Sequence, residues 1–211
     1  MTNNKIKSSE EKKPDYEERN MAREDFVKKA RAFLIQNKAA KTTLARYFGT
    51  SIKDVKVDVL SLLFTVMGEN IYEKDVRKYG PELEAYFYVL TMMAYCKFND
   101  NDNGNSTDSK NFIPFEKKIK SLYDEGSDST KRKICRFLTL SLKDGRVFVR
   151  ELTRLVKLIG RNNLNDVDFL KLLRDLRTWD LYSSEYRSVS KTKYNWSKTI
   201  FLQTKNNEEA E

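Results

Sequence analysis

From Met21 to Phe201 the apolar residues recur at steps of three and four, and almost nowhere do they alternate. That period puts apolar side chains along one face of a helix, whereas a half-buried strand needs a period of two. Seven Gly and three Pro in 211 residues encode few turns, so the periodic segments are long. The pattern predicts an all-α helical bundle, arranged as two sub-bundles of about four helices each.

Phe26, Ala30, Phe33 and Leu34 form the first apolar face, and Val55, Val59, Leu62, Leu63 and Val66 form another, with Gly68 as its C-cap. Residues 81–98, PELEAYFYVLTMMAYCKF, are apolar on most sides, which predicts a central helix with Pro81 in its first turn. Residues 99–111, NDNDNGNSTDSKN, read as a polar linker between an N-terminal unit, 21–98, and a C-terminal unit, 112–204. The linker superficially suggests a calcium loop, but Lys110 stands where a bidentate Glu belongs. In the C-terminal unit, helices are expected over 112–124, from a cap at Asp128 or Ser129 to Leu142, and over 146–159 between Gly145 and Gly160. Asn165 or Asp166 is the expected cap of the next, with Val167, Leu170, Leu173 and Leu176 as its seam, and Tyr194, Trp196 and Phe201 mark the last. Residues 1–20 and 205–211 are polar and read as a disordered arm and tail.

The chain has no histidine, which removes Ser-His-Asp and Cys-His nucleophile pairs, HExxH sites and Cys₂His₂ fingers. Cys96 and Cys135 are far apart and flanked by apolar residues, so both read as buried free thiols. There is no phosphate loop, no GxGxxG and no convergent carboxylate cluster. The expectation is a non-enzymatic protein without cofactor or metal. No apolar run approaches ~18 residues and the N-terminus lacks an apolar core, so a cytoplasmic protein without a membrane span is expected.

The formal net charge is +9, and its distribution is uneven. In RVFVRELTRLVKLIGR, residues 146–161, a helical period places Arg146, Arg150, Arg154, Lys157 and Arg161 within an arc of ~80°. Phe148, Leu152, Leu155, Val156 and Ile159 take the opposing arc, and the single acid, Glu151, lies off the stripe. Like charges stacked at i,i+4 cost a few tenths of a kcal/mol per pair, about what opposite pairs contribute. A bound anion offsets that cost. The stripe spans ~22 Å, enough for about six phosphates of a stacked strand. Arg132 and Arg136 share a neighbouring helix face, and Lys38, Lys41 and Arg46 form an earlier basic segment. These ten cations are the candidate nucleic-acid contacts. Tyr194 and Trp196, among Lys191, Lys193 and Lys198, fit either base stacking or the core, with the core favoured for Trp196. A free-standing helical DNA-binding regulator and a scaffold that pairs its basic face with an acidic protein surface are the other readings.

KRKICRFLTLSLKD, VFVRELTRLVKLIG, LNDVDFLKLLRDLRTWD and YNWSKTIFL, in that order, resemble the small subunit of the type I-E CRISPR surveillance complex Cascade, the CasB family. The resemblance rests on Arg136-Phe137, Leu152 to Leu158, Asp166 or Asp168, Leu172 to Leu176 before Trp179, and the Trp-containing last helix. LARYFG at 44–49 is similar to an early Leu-x-Arg segment, and Tyr86 to Tyr95 to an apolar helix of the family. It covers about residues 22–203, with a longer arm and linker and with NFIPFEKKIKSL in place of a Gly-rich segment. It implies a non-catalytic helical subunit, present as two copies beside the other Cascade subunits and their guide RNA. Such a subunit holds the displaced single-stranded DNA so that the R-loop stays open. Arg46 falls in the Leu-x-Arg segment, Arg136 in the Arg-Phe helix and Arg154 in the Leu-Arg-x-Leu helix; Arg132, Arg146, Arg150, Lys157 and Arg161 rest on helical phase, and Lys38 and Lys41 on the early basic segment.

Overall fold

The computed structural model describes residues 13–77, 83–96, 112–181 and 189–202. They form nine α-helices with short 3₁₀ and π turns. In chain order these are α1 Lys13–Gln36, α2 Lys38–Arg46, α3 Val57–Ile71, α4 Leu83–Tyr95, α5 Phe115–Glu125, α6 Asp128–Thr139, α7 Arg146–Ile159, α8 Phe169–Arg177 and α9 Lys191–Phe201. No strand occurs among the described residues; an isolated bridge pairs Ile113 with Val167.

The apolar segment expected at 81–98 is α4. Every residue from Ala85 to Ala94 is buried, because α2 lies along one side of it and α1, α3 and α8 along others. Residues 99–111 lie outside the described residues, but the helices on either side share one core. Phe26 packs edge-on to Tyr86 at 4.7 Å within the first half, while Tyr88 of α4 stacks near Phe148 of α7. Phe148, Phe137, Trp179 and Trp196 make up a second aromatic centre, with the two indoles perpendicular at 5.0 Å. Trp196 is therefore core: its Nε1–H donates to Asp175 Oδ2 at 2.8 Å and its ring is closed to any base.

Beneath α1, α4 and α8 lies a buried carboxylate. Asp75, in the π turn Tyr72–Arg77, accepts from Arg23 Nε and Nη2 at 2.9 Å and from the Tyr86 hydroxyl, with Arg177 Nη1 2.8 Å from its Oδ2. Burial raises the Tyr86 phenol, the Asp75 charge adds to that, and so the ring stays the donor.

Several boundaries differ from expectation. Helix α1 begins at Lys13, inside the segment read as a disordered arm; residues 1–12 and 205–211 lie outside the described residues. The α6 cap is Ser127, whose hydroxyl accepts from Thr130 N–H, rather than Asp128 or Ser129. The α8 cap is Asp168, accepting from Lys171 N–H at 2.8 Å, because Asp166 and Val167 are taken up by the bridge to Ile113. Gly68 sits at φ +61°, where α3 kinks before continuing to Ile71. Cys96 is buried as expected, but Cys135 is exposed: it follows Ile134 by one helical step and faces a shallow groove between α6 and α9.

Candidate nucleic-acid interface

Helix α7 carries the basic stripe in the register its sequence demands. Phe148, Val149, Leu152, Leu155, Val156 and Ile159 are buried, and Arg146, Arg150, Arg154 and Lys157 are exposed. The stripe is shorter than expected. Gly160, at φ +87°, ends the helix, so Arg161 leaves its line and docks on the C-terminal end of α4. There Arg161 Nε donates to the Tyr95 carbonyl at 2.7 Å, and its guanidinium lies 4.6 Å from the Tyr95 ring. A cation at that end of α4 favours the helix dipole, which is a structural role. Arg146 to Lys157 then spans ~16 Å.

Arg146 is also committed within the chain. Its Nε donates to Asp54 Oδ2 at 2.7 Å and its Nη2 to Oδ1, a bidentate clamp that holds the Asp54 carboxyl below its ordinary range. The clamp joins α7 to the 3₁₀ turn Ile52–Asp54 of the first half. Nothing in the stripe's periodicity announces Asp54, ninety-two positions away.

Glu151 is the second departure. Rather than lying idle beside the stripe, it is buried underneath it. Its Oε1 takes Arg154 Nη1 at 2.7 Å and Arg150 Nε at 3.4 Å. Burial alone raises this carboxyl, but the Arg154 hydrogen bond and the fields of Arg154, Arg136 and Arg150 hold it below the usual range. Arg136 reaches it from α6, which packs beside α7. Two α7 guanidiniums thus meet one sunken carboxylate, and the field of Arg136 adds to theirs from α6. Arg132 lies one turn before Arg136 on the exposed face of α6. Neither arginine, nor Lys157, forms an ion pair among the described residues.

The ten candidates therefore separate. Arg132, Arg136, Arg150, Arg154 and Lys157 are exposed on the adjacent helices α6 and α7, where Glu151 pairs with Arg150 and Arg154. Arg146 stands at the start of α7, clamped. Lys41 and Arg161 both act on the Cys96 thiol at the end of α4, where burial pushes that thiol up to about 12. Lys38 and Arg46 stay exposed on α2. The turn after α2 runs close against α7: a Cβ added at Gly49 would stand 3.0 Å from Thr153 Oγ1. Tyr194 is exposed on α9.

No group of three or more Cys, Asp or Glu among the described residues is placed to hold a metal ion, and no described helix is long and apolar enough to cross a membrane. In comparison with known proteins, the family model described as CRISPR-associated protein Cse2 matches residues 42–198. No curated protein and no solved structure matches the chain.

Proposed function

The chain belongs to the CRISPR-associated Cse2 family, whose members are subunits of the type I-E Cascade complex, and on that premise we propose that it is a non-catalytic subunit holding the displaced DNA strand of the R-loop on its α6–α7 face. R-loop formation is a nearly balanced exchange, so backbone contacts to one strand shift it. A strand held without regard to sequence needs cations that meet phosphates, and no base code. The observation that supports this reading is that Arg132, Arg136, Arg150, Arg154 and Lys157 are all exposed on the adjacent helices α6 and α7. Their charge is only partly answered by the chain's own carboxylates. Arg146 and Arg161 have structural partners and are left out of the contact set. Guide RNA and further subunits surround this face in the assembly, and two copies of the chain extend it. Linkage in a complex multiplies weak individual contacts.

The test is binding of the full chain to a labelled thymidine homopolymer over a salt series. Five phosphate contacts give a slope of about −3.5 in log K against log salt, roughly a hundredfold loss between 50 and 200 mM. A selection on random duplexes returns no consensus. A flat salt dependence, or a palindromic consensus with fixed half-site spacing, contradicts the reading.

A further inference from the structure

We propose that Glu151 is the positioning residue of this surface: a buried carboxylate that fixes Arg150 and Arg154 in the geometry that receives phosphodiester oxygens. The inference rests on the strand-holding reading above. An acid that merely balanced surface charge would sit on the exposed face, four residues from its partner. Glu151 is instead buried on the flank of α7, between the basic stripe and the apolar face, with its side chain 3% exposed, while Arg150 and Arg154 are each 53% exposed. A carboxylate in that place is costly unless paired. Here its pairing takes the inner edge of each guanidinium and leaves the outer edge in water.

The chemistry of arginine makes this arrangement useful. A guanidinium has five N–H donors in a fixed plane, and Arg150 and Arg154 each bring one nitrogen to Glu151. With each of these side chains 53% exposed, donors that do not meet Glu151 are open to solvent. A free arginine on a helix samples many rotamers and must be ordered by its ligand. One already held at its base loses less freedom on binding. Both arginines meet the same Oε1 oxygen, which ties the two side chains to one point on α7. The field of Arg136 at the same carboxylate extends the arrangement to α6. The ligand such a fan suits is a run of phosphodiesters, whose charges meet the guanidiniums while the carboxylate stays buried beneath them.

Two substitutions separate positioning from simple charge. Glu151→Gln keeps an Oε1 acceptor for both arginines and removes the charge. Glu151→Met fills the same space and removes both. If Glu151 positions, the methionine variant loses two contacts and its salt slope on the homopolymer falls from about −3.5 to about −2.1, whereas the glutamine variant keeps the wild-type slope. If the carboxylate acts only through its charge, both variants bind more tightly with an undiminished slope, and the proposal is overturned. A measurement on the unmodified chain decides the matter if the methionine variant does not fold. The Arg154 guanidinium N–H signal in NMR is resolved and slow to exchange if Glu151 holds it; an averaged, fast-exchanging signal overturns the proposal. A wild-type chain that shows no salt-dependent binding removes the strand-holding reading itself. A wild-type chain with the expected slope, matched by Glu151→Met, removes only the role of Glu151.

Discussion

Neutralising Arg132, Arg136 and Lys157 together, each to Gln, isolates the binding function of the α6–α7 face from its structural role. These three cations are exposed and form no ion pair among the described residues, so their loss leaves no buried carboxylate without a partner. Arg150 and Arg154 are kept, because removing them strands Glu151. Exposed substitutions of this kind change stability by no more than ~0.5 kcal/mol. The change has a stabilising component of a few tenths of a kcal/mol, since Arg132 and Arg136 repel at i,i+4. Contacts to phosphate fall from five to two. The salt slope on single-stranded DNA therefore moves from about −3.5 to about −1.4, and the loss between 50 and 200 mM shrinks from about a hundredfold to about sevenfold. Fluorescence anisotropy with a labelled homopolymer reads the slope, and urea unfolding confirms that the fold is unchanged. A variant that folds normally and keeps the wild-type slope refutes the assignment of these residues to the strand.

The core makes separate predictions. Asp75→Asn leaves Arg23 and Arg177 buried without their counter-charge, which costs ~3–5 kcal/mol in urea unfolding; a loss under ~1 kcal/mol, the scale of a surface pair, contradicts the pairing. A thiol reagent modifies Cys135 in the native protein and reaches Cys96 only on unfolding, because Cys135 is exposed while burial both shields the Cys96 thiol and raises it to about 12. Equal reaction of both in the folded state contradicts the placement of α4. Burial disfavours the Asp180 charge, but Lys193, Ser141 and the Leu142 N–H outweigh it and hold that carboxyl below its ordinary range. Its folded value is thus depressed. The stability it contributes is complete above the unfolded value of ~3.9 and is lost as pH falls through the lower folded one. Asp180→Asn removes that part of the acid dependence in pH-resolved melting curves, and an identical acid limb in variant and wild type contradicts it.

Much of the architecture was legible because helical periodicity reports burial directly. The all-round apolar run became the central α4, and the α7 stripe exposed Arg146, Arg150, Arg154 and Lys157 at the positions its phase required. The caps were less legible, since Ser127, Asp128 and Ser129 are equally good acceptors by type, and backbone geometry selects among them. The fate of individual cations was hidden for a different reason. Periodicity along one helix says nothing of what another element brings. Asp54 reaches Arg146 from the first half, and the Tyr95 carbonyl captures Arg161. Glu151 carries a partial signal: an acid one residue past Arg150 and three before Arg154 is within reach of both, but its phase between the two arcs leaves its burial undetermined. Cys135 is exposed although its sequence neighbours are apolar, because adjacent residues on a helix face different directions.

The most direct test of the account places a photo-crosslinking amino acid at Lys157 in the assembled, guide-loaded complex with an open R-loop. The displaced DNA strand is the predicted crosslinked partner, with yield falling as Arg132 and Arg136 are neutralised. Crosslinks to another protein subunit, with none to the displaced strand, contradict it.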